Sequence, residues 1–204
     1  MKKFIAIAGN IGAGKTTLAR KLAEKLNWDL YEEPFSDNPY LERFYNDMKT
    51  WAFHTETSFL SHRLKHHLEI LNNPSNIIQD RCLYEGAEVF VRNLFNSGHL
   101  NEVDWNTYNH LYNNIKHTLT PPNLIVYIKS SPNRCLAMTK KRGRDIDKDI
   151  SVNYMHDLHE LYEDWEKTFK LCPILRIDAD LNNYIFENQA FESLCGEILR
   201  NLDK

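Results

Sequence analysis

Near the N-terminus, Gly9-Asn10-Ile11-Gly12-Ala13-Gly14-Lys15-Thr16 follows the pattern G-x-x-x-x-G-K-[ST]. That spacing suits phosphate chemistry. Glycines let the backbone curl until several N–H groups point at one phosphate, and the positive end of a following helix backs them. The Lys15 ammonium can reach the outer phosphates of a nucleoside triphosphate, and the Thr16 hydroxyl can hold Mg²⁺. Thr17 stands beside it in the same donor site.

Three other clusters carry charge at telling places: Glu32-Glu33-Pro34, Asp80-Arg81-Cys82, and Lys140-Lys141-Arg142-Gly143-Arg144 with Asp145 and Asp147 behind it. Phosphoryl transfer asks mostly for positioning and for neutralising charge on the transferred group. Lys15 and its loop would hold the donor, and Arg142 and Arg144 would close over its phosphates. A carboxylate near the acceptor can orient a hydroxyl and take its proton. Glu33 is the candidate, with Arg81 close enough to keep it ionised and to touch phosphate. Asp80 is placed like an acid that orders Mg²⁺ through water. A switch GTPase would carry a base-reading motif such as N-K-x-D, which this sequence lacks.

The elements needed to position these groups are legible. Five short apolar runs read as strands: Phe4–Ala8, Leu30–Glu32, Ile77–Asp80, Leu124–Ile128 and Ile174–Ile177. Helix-length segments lie between them, at Thr16–Leu26, Trp51–Leu71, Leu83–Phe95, Trp105–Leu119, Pro132–Lys141 and Val152–Phe169, and Phe191–Leu202 closes the chain. Strand alternating with helix predicts an α/β fold whose parallel sheet is covered on both faces. Ligands of such sheets gather beyond the carboxyl ends of the strands, where Glu33, Asp80 and Arg81 stand. Pro34 stops its strand and holds Glu33 extended at the strand's mouth.

Composition narrows the classes. A chain of 204 residues suits one domain with a short basic lid over about residues 138–150. A net charge of −3 with no basic stripe argues against a nucleic acid polymer as partner. No apolar run approaches a membrane span, and the first strand starts without a signal sequence. Cys82, Cys135, Cys172 and Cys195 lack paired spacing and read as reduced thiols, which suits a cytoplasmic protein. His62, His66 and His67 read as a wet helix face rather than a metal site.

Jointly, the phosphate loop, Glu33-Pro34, Asp80-Arg81 and Arg142-Gly143-Arg144 resemble the deoxyribonucleoside kinases of the deoxycytidine/deoxyguanosine kinase type. Asp37-Asn38-Pro39-Tyr40-Leu41 with Phe44-Tyr45 is particularly similar to the bacterial deoxyadenosine and deoxyguanosine kinases. The resemblance runs from Lys3 to about Trp165. It implies a P-loop kinase with a five-stranded parallel sheet in the order 2-3-1-4-5, a homodimer, and transfer from ATP or another triphosphate to the 5′-hydroxyl of a deoxynucleoside in nucleotide salvage. By position it makes Glu33 the general base and Arg81 the group that stabilises the transferring phosphoryl. Tyr45 and Asp147 match the residues that hold the sugar 3′-hydroxyl, and Phe90 an aromatic that stacks on the base. Glu56 falls where most members carry a glutamine that reads the base edge, and Arg63, later on the same helix, matches an arginine of the base pocket.

Four positions depart from that pattern. Cys82 replaces a serine or threonine, Met138 replaces an arginine at the start of the lid, Gly86 stands where many members place an aspartate that pairs with the pocket arginine, and Glu56 replaces glutamine. An ionised Glu56 can only accept hydrogen bonds, which suits the N1–H and N2–H₂ donors of guanine. Arg63, with no aspartate at 86 to occupy it, would be free for O6 and N7. A purine is therefore expected, deoxyguanosine first and deoxyadenosine next. The nearest alternative is a nucleoside monophosphate kinase of the thymidylate kind. Its acceptor phosphate would need extra arginines, whereas Glu33 would repel it. A regulatory protein that binds a triphosphate without catalysis is the remaining alternative.

Overall fold

The computed structural model describes residues 2–202 except Pro34, Asp145, Ile146, Lys148, Asp149, Asn183 and Phe186. The expectations for Pro34 and Asp145, and part of the expected lid, therefore lie outside the described residues. The sheet is built from β1 (Phe4–Gly9), β2 (Asp29–Tyr31), β3 (Ile77–Asp80), β4 (Leu124–Lys129) and β5 (Ile174–Asp178). All neighbouring pairs are parallel, and the order is β2-β3-β1-β4-β5, as the resemblance implied.

β1 occupies the centre and is buried along its whole length. Alternation gives it two faces. Ile5 and Ile7 join a cluster with Leu18 and Leu22 of α1 (Lys15–Leu26) and Ile198 of α9 (Asn188–Leu202). Ala6 and Ala8 face the other side, where their small size leaves room for Tyr84, Tyr127 and Tyr162. Those tyrosines pack among α3 (Met48–Asn72), α6 (Glu102–Lys116) and α8 (Val152–Thr168). α7 (Pro132–Arg142) follows β4 and sets Cys135 into the first layer.

Three differences from the sequence reading have physical causes. A short helix, α2 (Leu41–Asn46), precedes α3 and has no side-chain cap of its own. It is set by Asn38, whose Oδ1 accepts from Tyr40 N at 3.0 Å while its Nδ2 donates to Thr55 O at 2.9 Å, a contact no local pattern announces. α3 starts earlier than expected because Asp47 caps it, accepting from Thr50 N at 3.1 Å. The run expected as one helix over 83–95 divides into α4 (Leu83–Glu85), a π-helical turn (Gly86–Val91) and α5 (Arg92–Asn96). The π turn re-aims side chains relative to an unbroken α-helix, a feature frequent at functional sites.

The histidine reading needs correction. His67 is fully buried: its ring bonds Thr120 O at 2.8 Å and meets Phe4 and Tyr84 edge-on. It is a core residue. Among the described residues no cluster of three His, Cys, Asp or Glu side chains could hold a metal ion, and the four cysteines are free thiols.

Candidate active site

The phosphate loop joins β1 to α1. Gly12 and Gly14 both adopt positive φ, and a Cβ on Gly12 would collide with the Cys135 carbonyl of α7. Glycine is thus required for the curl and for the close approach of α7. Ile11 N donates to Asn10 Oδ1 at 2.8 Å, and Asn10 Nδ2 anchors the loop to Met155 O at 3.1 Å. Lys15 Nζ donates to Gly9 O and Asn10 O, each at 2.8 Å. Burial, and then the Arg81 charge, lower its pKa to about 8, against the pull of Glu85, Asp80 and Glu33. Thr16 Oγ1 donates to Asp80 Oδ2 at 2.5 Å, while the buried Asp80 Oδ1 has no protein partner. Ala13, within the loop, is buried and Thr17 is exposed on α1.

Glu33 stands beyond the end of β2 and receives two guanidiniums. Arg63 Nη2 lies 2.5 Å from its Oε1, and Arg81 Nε lies 2.8 Å from its Oε2. Burial alone would push this carboxyl up. The Arg81 and Arg63 charges, with the Arg63 hydrogen bond and Lys15, overcome that and hold it down at about 2. Arg63 is therefore not free, as the absence of an aspartate at 86 had suggested. Gly86 instead makes room: a Cβ there would collide with Arg63 Nη1.

Arg81 leaves β3 in the left-handed region, with φ of 66°, which strains a residue bearing a Cβ. Its surroundings fix it there. Its backbone N–H donates to Ile7 O at 3.0 Å, and its guanidinium lies over Phe90, 4.5 Å from the ring centre. Behind it sits Glu85, fully buried, whose Oε2 is 3.6 Å from Arg81 Nη1 and accepts from Gly9 N at 3.0 Å and from the Tyr162 hydroxyl. Cys82 N donates to Glu85 Oε1 at 3.3 Å, so Cys82 retains the capping place expected of a serine there. Glu85 and Tyr162 were missed as site residues. The only signal was a carboxylate four residues after Arg81, inside an apolar helix start. Glu85→Gln is expected to lose about 1–3 kcal/mol of stability, because the amide N–H₂ must face donors. A lower denaturant midpoint checks this.

Two hollows adjoin here and share Ile11, Glu33, Phe35, Tyr45 and Arg81 as their common wall. One is charged, lined by Lys15, Thr16, Asp80, Arg142, Arg144 and Asp147. Arg142 is tied to Asp147, Nη2 to Oδ2 at 2.6 Å, and Arg144 lies over Phe35, 5.3 Å from the ring centre. The other is aromatic and apolar, lined by Phe44, Phe59, Phe90 and Tyr154, with Glu56 and Arg63 as its polar groups. Glu56 is buried, its Oε2 is without a partner, and burial raises its pKa to about 7 against Arg63 and with Glu33. Glu33, Asp80 and Arg81, singled out at the strand mouths, thus line one hollow with the phosphate loop, whereas Cys82 is buried in the core. Glu32 also lines the charged hollow, where it is paired with the exposed Arg20 at 2.5 Å.

A charged phosphate hollow opening past a carboxylate into an aromatic one is the layout of a small-molecule kinase, and comparison with known proteins decides which. The deoxynucleoside kinase family profile matches residues 5–202. The chain belongs to the deoxynucleoside kinase family. Deoxyguanosine kinase of Bacillus subtilis is 35% identical over 207 residues, covering 96% of this chain and 95% of the relative. The deoxyadenosine/deoxycytidine kinase of the same organism is 30% identical, covering 96% and 91%. Among solved structures, deoxyadenosine kinase from M. mycoides with bound dATP superposes with a TM-score of 0.85 at 29% identity, covering 96% of this chain and 98% of that one. These relatives include adenine, guanine and cytosine enzymes, so membership does not choose the base. No helix among the described residues of this kinase is long and apolar enough to cross a membrane.

Proposed function

We propose that this deoxynucleoside kinase transfers a phosphoryl group from ATP or a similar triphosphate to the 5′-hydroxyl of a purine deoxynucleoside, as a salvage enzyme. The junction of the two hollows at Glu33 carries the reading. A donor in the charged hollow and a nucleoside in the aromatic one would meet there. Glu33 orients the hydroxyl and takes its proton, while Arg81 and Lys15 neutralise charge on the transferring group. The phosphate loop cradles the donor, and Arg142 and Arg144 belong to a short lid over about residues 138–150. Tyr45 and Asp147 hold the sugar, and Phe90 stacks on the base. Thr16 and Asp80 fit a Mg²⁺ site: the hydroxyl and the carboxylate adjoin, and the carboxylate's second oxygen is buried without a partner. The ion would screen the donor's phosphates. The kinase works in the cytoplasm as a homodimer.

A coupled ADP-release assay over deoxynucleosides and deoxynucleoside monophosphates tests this. Deoxynucleosides are expected as acceptors and monophosphates are not. Preferential use of thymidylate overturns the reading.

The choice of purine turns on Glu56. Ionised, it accepts from guanine N1–H and N2–H₂; protonated, it offers one donor and one acceptor, which suits adenine N1 and N6–H₂. Facing it are Arg63 on its own helix, Glu33 beyond β2, Arg81 beyond β3, Tyr45 on α2, Tyr108 on α6 and Tyr154 on α8. With a pKa of about 7, the protonated form prevails below that pH and the ionised form above it. Deoxyguanosine is therefore expected to lead above pH 7. The ratio of kcat/KM for deoxyadenosine over deoxyguanosine should fall between pH 6 and 8, approaching roughly a hundredfold if each base strictly needs one form. Groups common to both substrates cancel in that ratio. Glu56→Gln should flatten the profile on the adenine side; a profile that moves as in the unmutated enzyme removes Glu56 from base reading.

A further inference from the structure

Arg63 has two calls on one guanidinium. It belongs to the base hollow, yet its Nη2 lies 2.5 Å from Glu33 Oε1. Its planar fork can bind both N7 and the 6-substituent of guanine, or N7 of adenine, and a purine edge that takes the fork containing Nη2 competes with Glu33 for that donor. Gly86 permits the swing to Glu33, since any larger residue would meet Arg63 Nη1. Arg81 is held by Phe90, Tyr162 and Glu85 as well as by Glu33, whose Oε2 accepts from its Nε at 2.8 Å.

We propose that the Glu33–Arg63 ion pair couples base recognition to catalysis: Arg63 restrains Glu33 until a purine draws the guanidinium away, and only then is the Glu33 carboxylate available to a hydroxyl. The proposal rests on Glu33 being the general base. A carboxylate oxygen already accepting a charge-assisted hydrogen bond has less electron density to offer a second proton, so a restrained Glu33 activates water poorly. The consequence is protection of the triphosphate. In hydrolysis, a water oxygen would bond to the γ-phosphorus as the bond to the ADP oxygen breaks, with the water proton passing to Glu33. Restraint by Arg63 suppresses that reaction when no nucleoside is present. Arg63 is thus a positioning residue for the base as well as a contact for the substrate.

The measurement is triphosphate hydrolysis without an acceptor hydroxyl. Adding 2′,5′-dideoxyguanosine or 2′,5′-dideoxyadenosine, which present a purine but no 5′-hydroxyl, should raise hydrolysis by the unmutated enzyme about tenfold, part of the ~10²–10⁴ that a general base contributes. Arg63→Met should raise the rate by a similar factor without any analogue, and the analogue should then add nothing, the non-additivity expected of a shared mechanism. Gly86→Asp, which retains the arginine but displaces it and offers it another carboxylate, should raise the basal rate as well. Combining either change with Glu33→Gln should return hydrolysis to the low level. The coupling is overturned if neither analogue stimulates the unmutated enzyme, or if Arg63→Met that still binds triphosphate by calorimetry responds to them by the same factor. The base assignment fails separately, if Glu33→Gln alone phosphorylates deoxynucleosides at the unmutated rate.

Discussion

Glu33→Gln is expected to lower kcat by about 10²–10⁴-fold, the usual contribution of a general base, with nucleoside affinity only modestly changed. Glutamine keeps the length of the side chain and an oxygen for Arg81 Nε, now 2.8 Å from Oε2, but it cannot take a proton. The sugar and base contacts assigned to Tyr45, Asp147, Phe90 and Glu56 lie on other elements and survive the change. Steady-state kcat with isothermal titration of the nucleoside separates the two effects. A near-normal kcat would remove Glu33 from the mechanism. The pH profile supplies a second check. With its pKa held at about 2 by Arg81 and Arg63, Glu33 is ionised throughout any workable assay range. An acid limb near neutrality in kcat/KM therefore belongs to another group, and Glu56, raised to about 7, is the one in the hollow.

Much of this site was legible because it depends on local chemistry. The glycine spacing of the phosphate loop dictates its curl, and alternation of apolar runs with helical segments dictates a parallel sheet, whose carboxyl ends gather Glu33, Asp80 and Arg81. The strand order came from the resemblance to a family, and the pairing of β1 with β3 and β4 agrees with it. What escaped depends on contacts between distant segments. α2 exists because Asn38 is bound to Thr55, and Glu85 matters because Gly9 N–H and the Tyr162 hydroxyl converge on it. His67 lies at the same helical spacing as two partly exposed histidines, but its side of α3 faces Phe4 and Tyr84. Arg63 shows the limit most clearly. A missing aspartate at 86 was visible, but that the vacated space would let Arg63 reach Glu33 requires knowing where the end of β2 sits relative to α3.

Lys15→Ala is expected to reduce turnover by at least ~10²–10³-fold, the scale lost with one group that stabilises transition-state charge. In the structure the ammonium lies against Gly9 O and Asn10 O at 2.8 Å, so it sits within the curl of the loop that is proposed to hold the donor's phosphates. Alanine removes that charge and also the two hydrogen bonds that tie the loop's first carbonyls. Loop shape does not depend on them alone, because Asn10 is anchored separately to Met155 and to Ile11, and Gly9 N–H to Glu85. Nucleoside binding should persist, since the base hollow is built from α2, α3, α8 and the π turn rather than from α1. Calorimetry that found nucleoside and triphosphate binding lost together in a folded variant would contradict this division of the site. The lysine also predicts an alkaline limb. Its pKa is lowered to about 8, chiefly by burial, so the charged form that serves phosphate is present below that pH and lost above it. The limb should appear in kcat/KM for the triphosphate. In Lys15→Met the residual activity should show no such limb, which identifies Lys15 as its source if the limb disappears and exonerates it if the limb remains.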